Sequence, residues 1–217
     1  MNPYAAWWLD SGRPAPERPL LVLALNDDAT AVSALPENYS AGWLDRQTPT
    51  SRVAEYLQVP IVAAGQELPD HDLLLLGSVG RGMTTLAAAF AVSQLNAEPQ
   101  LVTGHGSGIS DLQWMEKLVD VRSRTQTDVP PPVAALVAVL EQADVPVLLD
   151  GVVSAAAAAL VSPGTDVQAP VVGAEPVQQF FLDRANVPVW GSSGIGPGEG
   201  LGSLSGLAML RLALLAG

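Results

Sequence analysis

The sequence predicts an α/β protein with an open, mostly parallel, Rossmann-like sheet and helices on both faces, in three layers. Short aliphatic runs bounded by Pro, Gly or Asp alternate with longer helical patterns along the 217 residues. The hydrophobic fraction is 48% and the aromatic fraction only 5%, so the core consists mainly of Ala, Val and Leu, which suits close packing of helices on a sheet. Polar or glycine-rich loops follow most aliphatic runs, and ligands of open parallel sheets bind beyond the carboxyl ends of the strands. We therefore expect one sheet with one binding crevice.

The predicted strands are too short for helices and are typical of buried strands in a parallel sheet. They are residues 20–25, 60–64, 73–76, 101–102, 145–149, 171–172 and 187–190. The predicted helices lie between them and are residues 50–57, 84–95, 111–125, 132–142, 152–160, 176–184 and 202–215. This alternation predicts βα units with right-handed crossovers.

The chain length fits a single α/β domain, which we assign to residues 20–217. Residues 1–19 contain four prolines around Trp7 and Trp8 and predict an irregular N-terminal arm. Such an arm packs either on its own domain or on a partner subunit, and the sequence does not distinguish the two.

Charge and composition exclude several classes of partner. The net charge is −12 with only 10 basic residues, which gives no counterion-release drive toward nucleic acid and repels anionic lipid. The absence of cysteine excludes disulfides, thiolate nucleophiles and Cys-ligated metal. No apolar segment reaches the roughly 18 residues of a membrane span, and the N-terminus lacks the layout of a secretory signal. We expect a cytoplasmic protein without nucleic-acid or membrane partners.

The loop at residues 77–85, called the glycine loop below, lies between a predicted strand and an Ala-rich helix. Gly80 and Gly82 permit a close backbone approach, and free amides at a helix start attract an anion such as phosphate. The spacing fits a Walker A loop, but Met83 occupies the lysine position, which disfavours a nucleoside triphosphatase. The alternative is a turn that only lets the helix pack tightly.

A second glycine loop, residues 104–108, follows the predicted strand at 101–102. Its amides and the Ser107 hydroxyl can contribute to the same anion site. His105 lacks a partner histidine and an evident orienting carboxylate, so an ordinary polar role is the alternative to catalysis.

Glu199 lies between Gly198 and Gly200 in a loop before the last predicted helix. A carboxylate held in such a tight loop beneath apolar elements can have a raised pKa and act as a general base. The alternative is an acid that stabilises the start of the helix. A serine hydrolase is disfavoured because no segment forms a nucleophile elbow, and a glycosidase because aromatic residues are few.

Several segments resemble, in order along the chain, the motifs of one known family. They are residues 32–36 (V-S-A-Y-P in the family), 80–89 (G-I-G-N-T-T-A-A-A), 104–111 with Lys117 (G-R-G-T-G-x-x-D and a following lysine), 149–158 (L-D-G-F-x-x-x-A-A), 174–176 within S-A-E-P, and 198–202 (G-E-G-T-G). On these segments the chain, from about residue 20 onward, is identified as a member of the nicotinate-nucleotide:dimethylbenzimidazole phosphoribosyltransferase family.

The resemblance implies a homodimeric enzyme that moves the phosphoribosyl group of nicotinate mononucleotide onto 5,6-dimethylbenzimidazole in cobamide lower-ligand synthesis. It implies Glu199 as the base that removes the N–H proton of the benzimidazole, and no metal or cofactor. The implied phosphate and ribose contacts are Gly80, Arg81, Gly82, Met83, Thr84, Thr85, Gly106, Ser107 and Gly108. The implied base contacts are Ser33, Asp150, Glu175 and Gly198.

The chain departs from the family pattern at several positions. Ser78 and Met83 stand where members commonly have glutamate and asparagine, and residues 26–28 replace an Asp-His pair. A long family insertion between residues 64 and 73 is missing. These departures leave a second hypothesis open, a non-catalytic member that binds a nucleotide or a benzimidazole-like base as a sensor or partner subunit. A nucleotide-binding α/β protein of unrelated function is the third.

Overall fold

The structure, a computed structural model, describes residues 3–124, 128–161, 166–192 and 198–216. Within these ranges no helix is long and apolar enough to cross a membrane. Residue 125, the last of the predicted helix at 111–125, lies outside the described ranges. Part of the loop before Glu199 also lies outside them.

The centre of the molecule is a five-stranded, all-parallel sheet with the order β2-β1-β3-β4-β5. The strands are β1 (Pro19–Leu25), β2 (Ile61–Ala63), β3 (Leu73–Val79), β4 (Val147–Leu149) and β5 (Val167–Gln168). From β1 the chain moves to β2 on one side and then to β3 on the other. The crevice of such a sheet opens where the order reverses, beyond the carboxyl ends of β1 and β3.

The described residues form nine α-helices, and the seven that the sequence predicts begin and end close to the predicted positions. The nine helices are α1 (Pro3–Asp10), α2 (Pro49–Leu57), α3 (Met83–Leu95), α4 (Pro99–Val102), α5 (Asp111–Ser123), α6 (Pro131–Gln142), α7 (Gly151–Leu160), α8 (Pro176–Ala185) and α9 (Leu201–Ala216). Their starts follow from local chemistry. Proline occupies the first turn of α2, α4, α6 and α8, and Ser110 caps α5 in a reciprocal pair with Gln113.

Two apolar clusters pack on opposite faces of the sheet, which gives the three predicted layers. Successive side chains of a strand point to opposite faces. In β1, Leu20 and Val22 therefore pack in the cluster with α3, α6, α7 and α8. Leu21 and Leu23 pack in the second cluster, with α9 and Trp8 of α1.

The prediction that the N-terminal arm is irregular is wrong, because residues 3–10 form α1. Trp8 is only 2% exposed, and its indole N–H donates to the carbonyl of Pro14 at 2.8 Å. Trp7 contacts Trp190, with ring centroids 5.7 Å apart. A helix lets both tryptophans reach the domain at once, so the arm packs on its own domain.

The predicted strand at 101–102 is also wrong, since these residues end the short helix α4. Pro99 occupies the first position of α4, and two apolar residues alone do not distinguish a strand from a helical turn. The predicted strands at 171–172 and 187–190 form only isolated parallel bridges, Val172 with Ser192 and Ala169 with Val189. The sequence did not predict β5, which is two residues long.

Candidate active site

The loops at the carboxyl ends of the strands line one cavity of about 590 Å³. It lies at the predicted crevice beyond β1 and β3. The lining includes all but two of the residues implied by the sequence resemblance. They are Glu199, Gly80, Gly82, Met83, Thr84, Gly106, Ser107, Gly108, Ser33, Asp150, Glu175 and Gly198.

The glycine loop reaches the cavity because its glycines pack against the loop that follows β1. A Cβ added at Gly80 would lie 1.5 Å from the carbonyl oxygen of Asn26, and one added at Gly82 would lie 2.6 Å from Ala31 Cβ. Gly82 has φ +77° and is the N-cap residue of α3. Since it has no side chain, the first amides of α3 remain available to an acceptor in the cavity, the arrangement that favours phosphate.

Arg81 and Thr85 do not line the cavity, contrary to the implied contacts. The Arg81 guanidinium donates instead to the carbonyl oxygens of Ala31, Ser33 and Leu35. This side chain therefore holds the loop after β1 in place. Thr85 is fully buried in α3.

A buried lysine joins three elements on one side of the cavity. Lys117 of α5 is 1% exposed, and its Nζ donates to Thr84 Oγ1 at 2.9 Å and to the carbonyl of Gly104 at 2.8 Å. Glu175 Oε2 lies 3.6 Å from the same Nζ, and Glu175 Oε1 accepts from the Gly106 amide. Burial lowers the pKa of Lys117, and Glu175 opposes that shift. Lys117 thus ties α3, α5 and the second glycine loop to Glu175.

Glu199, which also lines the cavity, has a neutral hydrogen-bond partner. The Tyr39 phenol donates to Glu199 Oε1 at 2.7 Å, across 160 residues of sequence. Burial raises the pKa of Glu199, while Tyr39 and Arg46 act to lower it. Burial and the neighbouring Glu199 raise the pKa of Tyr39 to about 12. The structure therefore provides a half-buried carboxylate of raised pKa that faces the cavity, as a general base requires.

Tyr39 had no signal in the sequence, because it lies outside every recognised motif and its partner is distant along the chain. In the sequence, Lys117 is identifiable only as the lysine that follows the motif at residues 104–111. Its burial was not predictable, since lysine is almost never fully buried unless it is paired.

Asp150 belongs to the cavity lining, but its carboxylate is engaged with α9. It is 4% exposed, and its Oδ2 accepts from the Gly202 amide at 2.9 Å. Burial raises the pKa of Asp150 to about 6, against the amides of Gly202 and Gly200, and Glu199 adds to the rise. Asp150, not Glu199, is thus the acid bonded to the start of α9.

Backbone contacts between glycines hold the segment that carries Glu199. A Cβ added at Gly151 would lie 2.8 Å from the Cα of Gly198, and one added at Gly77 would lie 2.6 Å from the Gly200 nitrogen. Ser78 N also donates to the carbonyl of Gly198 at 3.0 Å. The segment therefore packs directly on the end of β3 and on the turn between β4 and α7.

His105 has a carboxylate partner, contrary to the sequence prediction. Its Nε2 lies 3.0 Å from Asp111 Oδ1, and its ring stacks on Trp114 with centroids 5.9 Å apart. Both His105 and Asp111 are exposed, and neither lines the cavity. Among the described residues no group of three or more His, Asp or Glu side chains is placed to hold a metal ion.

The positions that depart from the family pattern lie at the cavity or beside it. Ser78 and Met83 both line it. Asp27, in the segment that replaces the Asp-His pair, accepts hydrogen bonds from the amide of Arg81 at 2.7 Å and from the amide of Ser40 at 2.9 Å. Asp27 therefore joins the loop after β1 to the glycine loop.

Comparison with known proteins agrees with this geometry. A family model described as phosphoribosyltransferase matches residues 50–216. A nicotinate-nucleotide–dimethylbenzimidazole phosphoribosyltransferase from Mycobacterium leprae is 34% identical over 183 residues, 71% of this chain and 52% of the relative. That of Corynebacterium efficiens is 31% identical over 215 residues, 88% of this chain and 58% of the relative. The chain thus spans about half the length of the curated relatives it matches.

Solved structures share the fold. CobT from Thermus thermophilus has a TM-score of 0.78 at 21% identity, covering 97% of this chain and 87% of that one. A second structure, of the nicotinate-nucleotide–dimethylbenzimidazole phosphoribosyltransferase from the same organism, has a TM-score of 0.74 at 20% identity, covering 98% and 87%. With the family match over residues 50–216, the chain belongs to the nicotinate-nucleotide–dimethylbenzimidazole phosphoribosyltransferase family.

Proposed function

We propose that this chain moves the phosphoribosyl group of nicotinate mononucleotide onto 5,6-dimethylbenzimidazole or a related base. The support is the family, whose relatives are named for this nucleotide and this base, together with a cavity that offers a phosphate site and a general base. The product is the α-ribotide that forms the lower ligand of a cobamide.

The proposed transfer moves one electron pair to the leaving nicotinate and one proton to Glu199. A ring nitrogen of the acceptor base attacks the anomeric carbon of the ribose, and the bond from that carbon to the pyridinium nitrogen breaks. The electron pair of the broken bond neutralises the pyridinium, so nicotinate leaves with an uncharged ring. Glu199 accepts the N–H proton of the acceptor and later releases it to water.

The donor binds through its phosphate and its ribose. The amides at the start of α3 and the second glycine loop face the same cavity and provide donors for the phosphate. Glu175 lines the same cavity, with its Oε2 held 3.6 Å from the buried Lys117 ammonium, and we assign to this residue a contact with the ribose. Fixing both ends of the donor positions the anomeric carbon, which is the main demand of a group transfer.

The observation that carries the proposal is the environment of Glu199. Its carboxylate lines the cavity, its direct partner is the neutral Tyr39, and its pKa is raised by burial. The experiment incubates the protein with nicotinate mononucleotide and a panel of benzimidazoles, and measures released nicotinate and ribotide by chromatography and mass. We expect release that depends on the acceptor. Absence of release at high protein concentration, with the mononucleotide still bound, would contradict the proposal.

A non-catalytic binding protein is the second candidate. Met83 begins α3 beside the proposed phosphate site with a thioether, and Ser78 presents a hydroxyl where the family pattern has a carboxylate. Calorimetric titration of nicotinate mononucleotide and of its nucleoside separates the two candidates from an unrelated protein. Both require tighter binding of the mononucleotide, and only the enzyme turns it over.

We also propose a homodimer and a cytoplasmic location. Leu112, Met115 and Val119 form an exposed apolar stripe along α5, each at least 60% exposed. Such a stripe is typical of an interaction surface. Light scattering coupled to size-exclusion chromatography tests the dimer, with Met115→Lys as the variant expected to yield monomer.

A further inference from the structure

We propose that Tyr39 is a positioning residue for Glu199, which fixes one carboxylate oxygen and leaves the other as the atom that accepts the proton. This inference rests on the proposed function, because the proton acceptor is the base of that reaction. It assigns a role to the loop between β1 and α2, which the reaction otherwise uses only as a wall of the cavity.

The hydrogen bond is directional and comes from a side chain that is itself held in place. The Tyr39 hydroxyl lies 2.7 Å from Glu199 Oε1. The Arg46 guanidinium lies 5.7 Å from the centre of the Tyr39 ring and donates to the Tyr39 carbonyl. The next residue, Ser40, donates to Asp27 through its amide at 2.9 Å and its hydroxyl at 2.8 Å. The phenol therefore has little freedom to leave Glu199.

A phenol suits this role because it is neutral. A lysine or arginine at 2.7 Å would hold the carboxylate in its charged form and weaken it as a base. Tyr39 stays protonated at ordinary pH, since its pKa is raised to about 12 by burial and by Glu199. It orients Oε1 without neutralising the charge. Oε2 is the oxygen left to the acceptor base.

Three charged or titratable groups act on Glu199 or respond to its charge. Tyr39 and Arg46, from the loop after β1, lower the pKa of Glu199 against the effect of burial. Asp150, at the turn before α7, feels the charge of Glu199, which raises the pKa of Asp150. Removal of the phenol takes away one stabilising interaction of the charged form, so the pKa of Glu199 must rise.

The test is Tyr39→Phe, which keeps the ring and removes the hydroxyl. We expect transfer at the pH optimum to fall about two- to tenfold, the contribution of one neutral hydrogen bond. We also expect the acid limb of the pH–rate profile to move to higher pH, with a smaller loss at high pH. The matched control is Tyr56→Phe on α2, where the ring is 86% exposed and the profile should equal that of the wild type. An equal loss at all pH values, or no change, overturns the inference.

A second measurement does not depend on turnover. The Glu199 carboxyl carbon is followed by NMR on protein labelled at glutamate carboxyl carbons, with Glu199→Gln to assign the signal. We expect its titration midpoint to be higher in Tyr39→Phe than in wild type, and an unchanged midpoint overturns the role of Tyr39. If the wild type catalyses transfer but the Glu199 midpoint does not shift in Tyr39→Phe, only the role of Tyr39 is refuted. If the midpoint shifts but the wild type catalyses no transfer, the Tyr39–Glu199 interaction stands and the proposed reaction is refuted.

Discussion

Two glutamates line the cavity, and their partners differ in charge. Glu175 has the buried ammonium of Lys117 at 3.6 Å and the amide of Gly106. Glu199 has the neutral phenol of Tyr39 at 2.7 Å. A buried cation compensates a carboxylate and fixes it in the fold, whereas a neutral donor orients a carboxylate and leaves its basicity available. In the proposed reaction, the partner, more than the residue type, separates Glu175, a structural and positioning residue, from Glu199, the proposed proton acceptor.

The largest effect is expected from Glu199→Gln. Glutamine keeps the size of the side chain but cannot take up a proton at neutral pH, so transfer should fall about 10²–10⁴-fold. Binding of nicotinate mononucleotide should stay near the wild-type level. Single-turnover rates and calorimetric binding measure the two properties separately. Wild-type turnover together with a lower Tm would remove Glu199 from the reaction.

Lys117→Met should mainly reduce stability. Methionine retains the length of the stem and leaves Glu175 without its buried cation, which should lower the free energy of unfolding by about 3–5 kcal/mol. Urea denaturation measures this loss. Adding Glu175→Gln to Lys117→Met should recover part of it, because the uncompensated charge is then gone. A double variant no more stable than Lys117→Met would show that the ion pair is not the source.

Asp150→Asn should change the pH dependence of stability. The pKa of Asp150 is about 6 in the folded protein and 3.8 as its ordinary value. Between these values the folded state holds the extra proton, so wild-type stability decreases as the pH rises through this window. The stability of Asp150→Asn does not decrease in this window, because asparagine does not titrate. Relative to the wild type, the unfolding free energy of the variant should therefore rise by up to about 3 kcal/mol as the pH increases. Thermal unfolding from about pH 4 to about pH 7 tests it, and a constant difference would be the contrary result.

The smallest effect is expected from Arg46→Met. Arg46 lowers the pKa of Glu199 from an exposed position, where solvent and salt screen its charge. The acid limb of the transfer profile should move to higher pH by no more than about a few tenths of a unit, less than in Tyr39→Phe. The difference should shrink further as salt is added. A larger shift than that of Tyr39→Phe would make Arg46 the main partner of Glu199.

The sequence was informative where function and fold use local patterns. The starts of α5 and α6, for example, follow from the Ser110 cap and from consecutive prolines. The glycine loop and Glu199 were recognisable because glycines at fixed spacing mark close backbone approach. Both lie at the cavity, as the rule for parallel sheets requires.

The remaining features depend on contacts that no local pattern encodes. The hydrogen bond between Tyr39 and Glu199 and the capping of α9 by Asp150 join residues far apart in the chain. Arg81 was misassigned because an arginine in a phosphate-type loop has the same sequence signature whether it faces the ligand or the backbone carbonyls behind it. Two apolar residues before Gly104 likewise did not carry enough information to separate a strand from a turn of helix.

The glycine contacts beneath Glu199 bear on the accuracy with which the carboxylate is aimed. A residue in a loop normally moves with the loop, but here Gly198 and Gly200 rest on Gly151 and Gly77 with no side chain between them. The position of Glu199 is therefore fixed by close backbone contacts with β3 and with the first residue of α7. A methyl group at any of these contacts would displace the Glu199 carboxylate from the acceptor base of the proposed reaction. A displacement of about 1 Å can lower a rate by about 10²-fold.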